Sequence, residues 1–337
     1  MKISEAYLKL ADAVPKGIIV LQQFYSSSFE AVSDEQSEGS YLCSPMYHIV
    51  YGLFYAVSLL PLRVLYLLSD LVYFLLYYVF GYRKKVVMGN LLQAFPEKTD
   101  QERKKIAKQF YLNFTDNFIE VIKLVSASPA FINRHFTGDY SLCNKLYEEG
   151  KKCHFLLAHN FNWELGCLAV AQNIKQLFLV VYMPIGNKAF DKIFMKVRTK
   201  TGAELLPATD MRNAIIPYRN RLYGLALVAD QNPGYPKSAY WLNFFGKPTP
   251  FVKGPESGAR RGNTPVVFCK IIKLKRGYYK IFFEMGEEQP ANTQQGVLTQ
   301  KYVAFLGDFI KEYPEMWLWS HRRWKWEWKP EYGEVIK

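Results

Sequence analysis

Cysteine is scarce in this chain of 337 residues, and the few present are not arranged for metal or disulfide chemistry. Cys43, Cys143, Cys153, Cys167 and Cys269 make an odd number, with no Cys-x-x-Cys and no histidine at ligand spacing. A disulfide framework and a zinc site are argued against, and reduced thiols in a cytosol-facing domain fit better. Acidic residues are also in deficit, 30 Asp and Glu against 43 Lys and Arg, for a net charge of +13. Such a balance points to an anionic partner: nucleic acid, an anionic membrane surface or an acidic carrier protein. Internal repeats and low-complexity tracts are lacking as well.

Apolar residues are not scarce. Half of the chain is hydrophobic, yet a mean hydropathy of −0.11 is too low for a polytopic membrane protein. The composition fits a globular domain carrying one apolar anchor. Residues 1–45 are polar, and the character changes at Met46. From Met46 to Phe80 only Arg63 and Asp70 carry full charges. The run lies too far into the chain for an ordinary signal peptide, and no small-residue cleavage site follows. The 19 residues after Pro61 approach the roughly 20 needed to span a bilayer. Arg63 and Asp70 stand seven apart, on one helical face. The run is read as a membrane helix, spanning or lying in the interface; the alternative is a buried amphipathic helix pair. Gly81-Tyr82-Arg83-Lys84-Lys85 follows, and basic residues after an apolar helix mark the cytoplasmic side. The expected division is a leader over 1–45, an anchor and basic follower over 46–85, a catalytic domain over 86–325 and a tail over 326–337.

Residues 86–125 read as helical. Thr99-Asp100-Gln101-Glu102 resembles a capping box, and Phe110, Phe114, Phe118 and Val121 recur at helical spacing. From about residue 152 the texture changes. The apolar runs His154–Ala158, Leu177–Tyr182, Gly224–Ala229, Thr264–Ile272 and Tyr279–Glu284 alternate with helical or Gly/Pro-rich stretches. Buried strands between helices predict an α/β fold.

The chemistry concentrates in Phe155-Leu156-Leu157-Ala158-His159-Asn160-Phe161-Asn162-Trp163-Glu164. A buried strand ending at His159 puts the imidazole where α/β sheets bind ligands. The His-x4-Glu spacing suggests that Glu164 holds one ring nitrogen protonated across the turn and leaves the other free to accept a proton. Such a base can activate a hydroxyl for attack on an acyl carbonyl, with no serine or cysteine nucleophile. Alone the match is weak, because such pairs arise often by chance.

Its company is more specific. Asn90-Leu91-Leu92-Gln93-Ala94-Phe95-Pro96-Glu97 precedes the motif. Arg198-Thr199-Lys200-Thr201-Gly202, Leu205-Leu206-Pro207, Asp230-Gln231-Asn232-Pro233-Gly234, Phe244-Phe245-Gly246, Thr249 and Gly258-Ala259 follow it, and Pro314–Lys325 closes the set. In order and spacing, from about Met46 to about Lys325, the chain resembles the lipid A biosynthesis acyltransferases of the late type. These belong to the wider glycerolipid acyltransferase superfamily, whose fold is a mixed sheet flanked by helices.

The resemblance implies acyl transfer from acyl carrier protein to a hydroxyl of a lipid A precursor, at the inner membrane of a bacterium. It makes His159 the base and Glu164 its orienting partner. It puts Arg198 at the family's basic position, for an oxyanion or a phosphate, and makes Asp230 a partner of Arg198. No cofactor is implied; the acyl thioester, on carrier protein or coenzyme A, is a co-substrate. Residues 1–45 have no counterpart in the resemblance. A glycerophospholipid or aminolipid acceptor is the alternative within enzymes. A basic membrane-binding protein without activity is the alternative outside them, and an intact His-x4-Glu argues against it.

Five tryptophans, Trp317, Trp319, Trp324, Trp326 and Trp328, stand among His321, Arg322, Arg323 and Lys325. Aromatics interleaved with cations suit single-stranded nucleic acid or a membrane interface, and the apolar helix favours the interface. At least Trp317 or Trp319 is expected to close the core. His48, His135, His154 and His321 are read as structural. Arg212, Arg219 and Arg221 are candidates for a patch that meets an anionic lipid or carrier, or for a solvated helix face.

Overall fold

The structure, a computed structural model, describes residues 45–336. The expected leader, apart from its last residue, and Cys43 lie outside the described residues. Helix α1 (Pro45–Leu59) opens the fold, and α2 (Leu62–Phe74) continues through a π-helical turn at Leu75–Val79. Pro61 separates the two helices. Next come α3 (Lys84–Ala94), α4 (Asp100–Leu124), α5 (Pro129–His135), β1 (Phe136–Gly138), α6 (Ser141–Glu148), β2 (Cys153–Leu157), α7 (Trp163–Asn173), β3 (Leu177–Tyr182), α8 (Lys188–Arg198) and β4 (Glu204–Pro207). After the short α9 (Met211–Ala214) follow β5 (Tyr223–Val228), β6 (Tyr240–Phe244), β7 (Lys247–Phe251), α10 (Gly254–Gly262), β8 (Val266–Lys275), β9 (Tyr278–Glu287), α11 (Val297–Glu312) and β10 (Val335–Ile336).

The fold is α/β, as the alternation of apolar runs predicts. A seven-stranded mixed sheet runs in the order β1-β9-β8-β2-β5-β3-β4, parallel throughout except for the antiparallel β8–β9 pair. The five expected strand runs become β2, β3, β5, β8 and β9. A second sheet joins β6 and β7, with β10 added parallel to β6. The tail is therefore tied to the domain, and Tyr332 stacks on the buried Trp241 with ring centroids 5.4 Å apart.

Helix α4 positions the rest. The Thr99 hydroxyl accepts from Glu102 N–H while the Glu102 carboxylate accepts from Thr99 N–H, completing the expected capping box. Phe110, Phe114 and Val121 are buried along one stripe of the helix. Asn113, Asp116, Asn117 and Glu120 are buried too, so α4 carries polar groups into the interior.

The helix Leu62–Val79 is long and apolar enough to cross a membrane, and little of it is buried. Leu67, Leu71, Phe74, Tyr78 and Val79 point outward, as do Ile49, Leu53 and Leu59 on α1. The opposite side is fastened to the domain by polar bonds. Ser69 donates to Asp116 (2.8 Å), and Asp70 pairs with Arg276 (2.6 Å), which also grips Asp116. The basic follower is partly used internally: Arg83 donates to Ser320 O (2.8 Å), and the Lys84 ammonium sits 3.9 Å from the Tyr77 ring centroid.

Candidate active site

Strand β2 ends at Leu157, opposite Val228 of β5 in parallel register. Ala229 N–H donates to Leu157 O (3.1 Å), extending the pairing one step past the strands. Two residues beyond that register, His159 and Asp230 therefore stand side by side at the carboxyl end of the sheet. Asp230 Oδ1 lies 2.7 Å from His159 Nδ1, and Asp230 Oδ2 accepts from His159 N–H (3.1 Å) and the Trp317 indole N–H (2.7 Å). Burial by itself raises the carboxyl, but the His159 ring, backbone N–H and Trp317 outweigh it and hold Asp230 at about 2. The carboxylate is thus a fixed anion that accepts Nδ1–H, leaving Nε2 able to take a proton. Gln231 Nε2 stands 3.3 Å from His159 Nε2, and the Trp163 ring meets the imidazole edge to face. Asp230 is fully enclosed, whereas His159 keeps 21 % of its side chain exposed, enough for a substrate to reach the ring.

Glu164 pairs elsewhere. Asn162 caps α7, its side chain accepting from Leu165 N–H (3.1 Å), so Glu164 is the second helical residue and His159 lies outside the helix. The Glu164 carboxylate takes Arg198 Nε (2.8 Å), and Arg198 Nη2 donates to its other oxygen. Burial lowers the Arg198 guanidinium, but Glu164 more than reverses this and keeps it firmly cationic. The expected partners are thus exchanged: Asp230 holds His159, and Glu164 holds Arg198. The cause is geometric. Side chains that meet along a helix stand three or four residues apart, not five, and residues 159–162 are extended or turning rather than helical.

Five residues beyond the expected set complete the surroundings. Gln231 and Trp317 touch the pair directly. Asn232 N–H donates to His321 Nε2 (3.3 Å), and Arg323, fully buried, donates to Asn232 Oδ1 (3.0 Å) and Pro250 O (2.9 Å). Burial first, then the Arg323 charge, pushes the His321 imidazole down to about 3, so it stays neutral. These groups lie in the Asp230–Gly234 and Pro314–Lys325 blocks, whose spacing marks them but gives no pairing. Trp317 and Trp319 both close the core, at 1 % and 0 % exposure. His135 and His154 are buried structural residues. Arg219 and Arg221 precede β5 and so lie at the amino end of the sheet, away from His159 and Asp230. Among the described residues, no group of three or more His, Cys, Asp or Glu is placed to hold a metal ion.

An α/β sheet with a His–Asp pair at its carboxyl edge, linked through Trp163 to the Glu164–Arg198 ion pair, in a chain with an outward apolar helix, suits an enzyme that works on a lipid. The family model described as bacterial lipid A biosynthesis acyltransferase matches residues 36–326, and the chain belongs to that family. The match begins ten residues before Met46, so the polar leader is not wholly outside it. No curated protein matches the chain. The protein is accordingly an acyltransferase of lipid A biosynthesis, acting on a lipid substrate.

Proposed function

We propose that His159 is the general base that takes the proton from a hydroxyl of a lipid A precursor while its oxygen attacks the carbonyl carbon of an acyl thioester. The thioester C–S bond breaks, the new ester forms, and the proton passes from the imidazolium to the leaving thiolate. Asp230 keeps Nδ1 protonated and stabilises the transient cation. Arg198, held by Glu164, faces the developing oxyanion or a phosphate of the acceptor. The donor is acyl carrier protein, whose acidic surface suits a chain of net charge +13. The enzyme sits on the cytoplasmic face of the bacterial inner membrane, with the outward apolar faces of α1 and α2 in the lipid. The carrying observation is the 2.7 Å contact between His159 Nδ1 and Asp230 Oδ1.

The test is acyl transfer by the purified full-length protein, with acyl carrier protein and coenzyme A thioesters side by side and mass spectrometry of the lipid product. His159→Ala is expected to lower transfer by about two to four orders of magnitude in a folded protein. Near-full activity in that variant removes His159 from the mechanism, and equal rates with both donors remove the carrier assignment.

A further inference from the structure

Glu120 is fully buried on α4, and its carboxylate has no salt-bridge cation of its own among the described residues. Three donors from three separate elements converge on it. Tyr66 of α2 donates to Oε1 (2.8 Å), Tyr279 of β9 donates to Oε2 (2.7 Å), and Asn162 Nδ2 donates to Oε2 (2.9 Å). Asn162 is itself wholly enclosed, and it is the residue at which the chain passes from His159 into α7. Its other side-chain atom, Oδ1, caps α7 by accepting from Leu165 N–H (3.1 Å). One amide thus fixes two things at once: the first turn of the helix that carries Glu164, and the suspension of that turn from α4.

We propose that Glu120 is a positioning residue for acyl transfer, acting through Asn162 to hold the His159–Glu164 turn at the height where His159 meets Asp230 and Glu164 meets Arg198. A buried carboxylate is costly to keep, and an apolar side chain would fill its volume at less cost. What an apolar residue cannot do is accept from the Asn162 amide, which would then be left as a buried donor without a partner. Burial raises the Glu120 carboxyl, and Lys273 and the Tyr279 and Tyr66 hydrogen bonds oppose that shift. What the turn takes from Glu120 is an acceptor for the Asn162 amide. Through Tyr66 the same carboxylate ties the turn to the outward-facing helix α2, so the catalytic turn and the lipid-facing helix share one anchor point.

The proposal rests on the turn being the catalytic one, and its test reverses the polarity of the bond. Asn162→Asp keeps an acceptor for Leu165 N–H, preserving the cap, but sets a carboxylate against Glu120. It is expected to lower kcat by about 10- to 100-fold, the effect of a displacement near 1 Å, with KM for donor and acceptor little changed. In the double variant Glu120→Gln with Asn162→Asp, the amide introduced on α4 donates to the carboxylate introduced in the turn. Its kcat is expected to return to within about threefold of the parent. Tyr279→Phe removes one of the two donors to Oε2 and leaves the Asn162 bond in place. It is expected to lower the melting temperature and leave kcat within about twofold. Activities are taken per folded protein, read by thermal melting. A double variant no more active than Asn162→Asp, or one that fails to fold, overturns the proposal. So does a Tyr279→Phe enzyme that loses as much kcat as Asn162→Asp. Failure of the base assignment appears separately, as activity in His159→Ala.

Discussion

Asp230 touches His159 twice, through the ring Nδ1 at 2.7 Å and the backbone N–H at 3.1 Å, while its second oxygen also holds the Trp317 indole at 2.7 Å. One buried carboxylate thus fixes the position, orientation and tautomer of the imidazole. Asp230→Asn can satisfy some of these donors but not all, and its amide can face Nδ1 with a donor, which favours the wrong tautomer. The expected outcome is a loss of about two to four orders of magnitude in kcat with KM for the acceptor little changed. Steady-state kinetics on the purified enzyme check it, and a fall in acceptor affinity alone would make Asp230 a binding residue.

The Glu164–Arg198 pair is enclosed, with side chains 5 % and 16 % exposed. Removing one partner leaves the other charge buried. Glu164→Ala and Arg198→Ala should each cost about 3–5 kcal/mol of stability, whereas Glu164→Gln with Arg198→Met should recover most of it. Activity should not recover in the double variant if the guanidinium meets substrate. A drop in kcat with constant KM would assign Arg198 to the oxyanion, and a raised acceptor KM would assign it to a phosphate. Urea melts and kinetics on the same preparations separate the two effects.

The site is only partly legible in the sequence, for reasons that differ from residue to residue. His159, Glu164, Arg198 and Asp230 stand out as residues, but their pairing depends on the parallel register of β2 and β5, a contact across 71 positions. No local period reports such a register. Strands β2, β3, β5 and β8 are legible as apolar runs with much of their length buried, and β9 by its aromatic residues, although only Tyr279 and Ile281 of it are buried. β7 is not, since Lys247-Pro248-Thr249-Pro250-Phe251 contains two prolines and stands at the edge of a small sheet. On α4 the aromatic stripe reveals the helix. The burial of Asp116 and Glu120 is hidden, because polar residues at those spacings usually face water.

His154 lies inside β2, 4 % exposed, and burial pushes its imidazole down to about 4. Its Nδ1 has no hydrogen-bond partner among the described residues. The ring therefore stays neutral in the folded protein while the unfolded chain protonates near pH 6.5. Between pH 6.5 and about 4 the unfolded state binds the extra proton, so stability falls as pH is lowered, by up to about 1.4 kcal/mol per pH unit from this group. Below about 4 both states carry the proton and the slope ends. His154→Leu should flatten the stability profile over that window and raise the melting temperature at pH 5 relative to the parent. An unchanged difference between pH 7 and pH 5 would show that the buried ring does not contribute.

Leu67 and Leu71 stand one turn apart on α2, 70 % and 54 % exposed, in the middle of the outward apolar face. The polar bonds of the helix point the other way, from Ser69 to Asp116 and from Asp70 to Arg276. Replacing both leucines should therefore spare the docked side and the fold. Burying each side chain in lipid is worth about 1.5–3 kcal/mol, so losing two weakens membrane attachment by roughly a hundredfold or more. Leu67→Ser with Leu71→Ser, tested by co-sedimentation with vesicles containing anionic phospholipid, should shift the protein toward the supernatant while its melting temperature stays put. Acyl transfer to an acceptor dispersed in detergent should persist, and transfer to the same acceptor in vesicles should fall. If the variant sediments with vesicles like the parent, the outward face of α2 is not what holds the enzyme on the lipid. If it melts early instead, those leucines pack within the protein, and the apolar run is a helix of the domain.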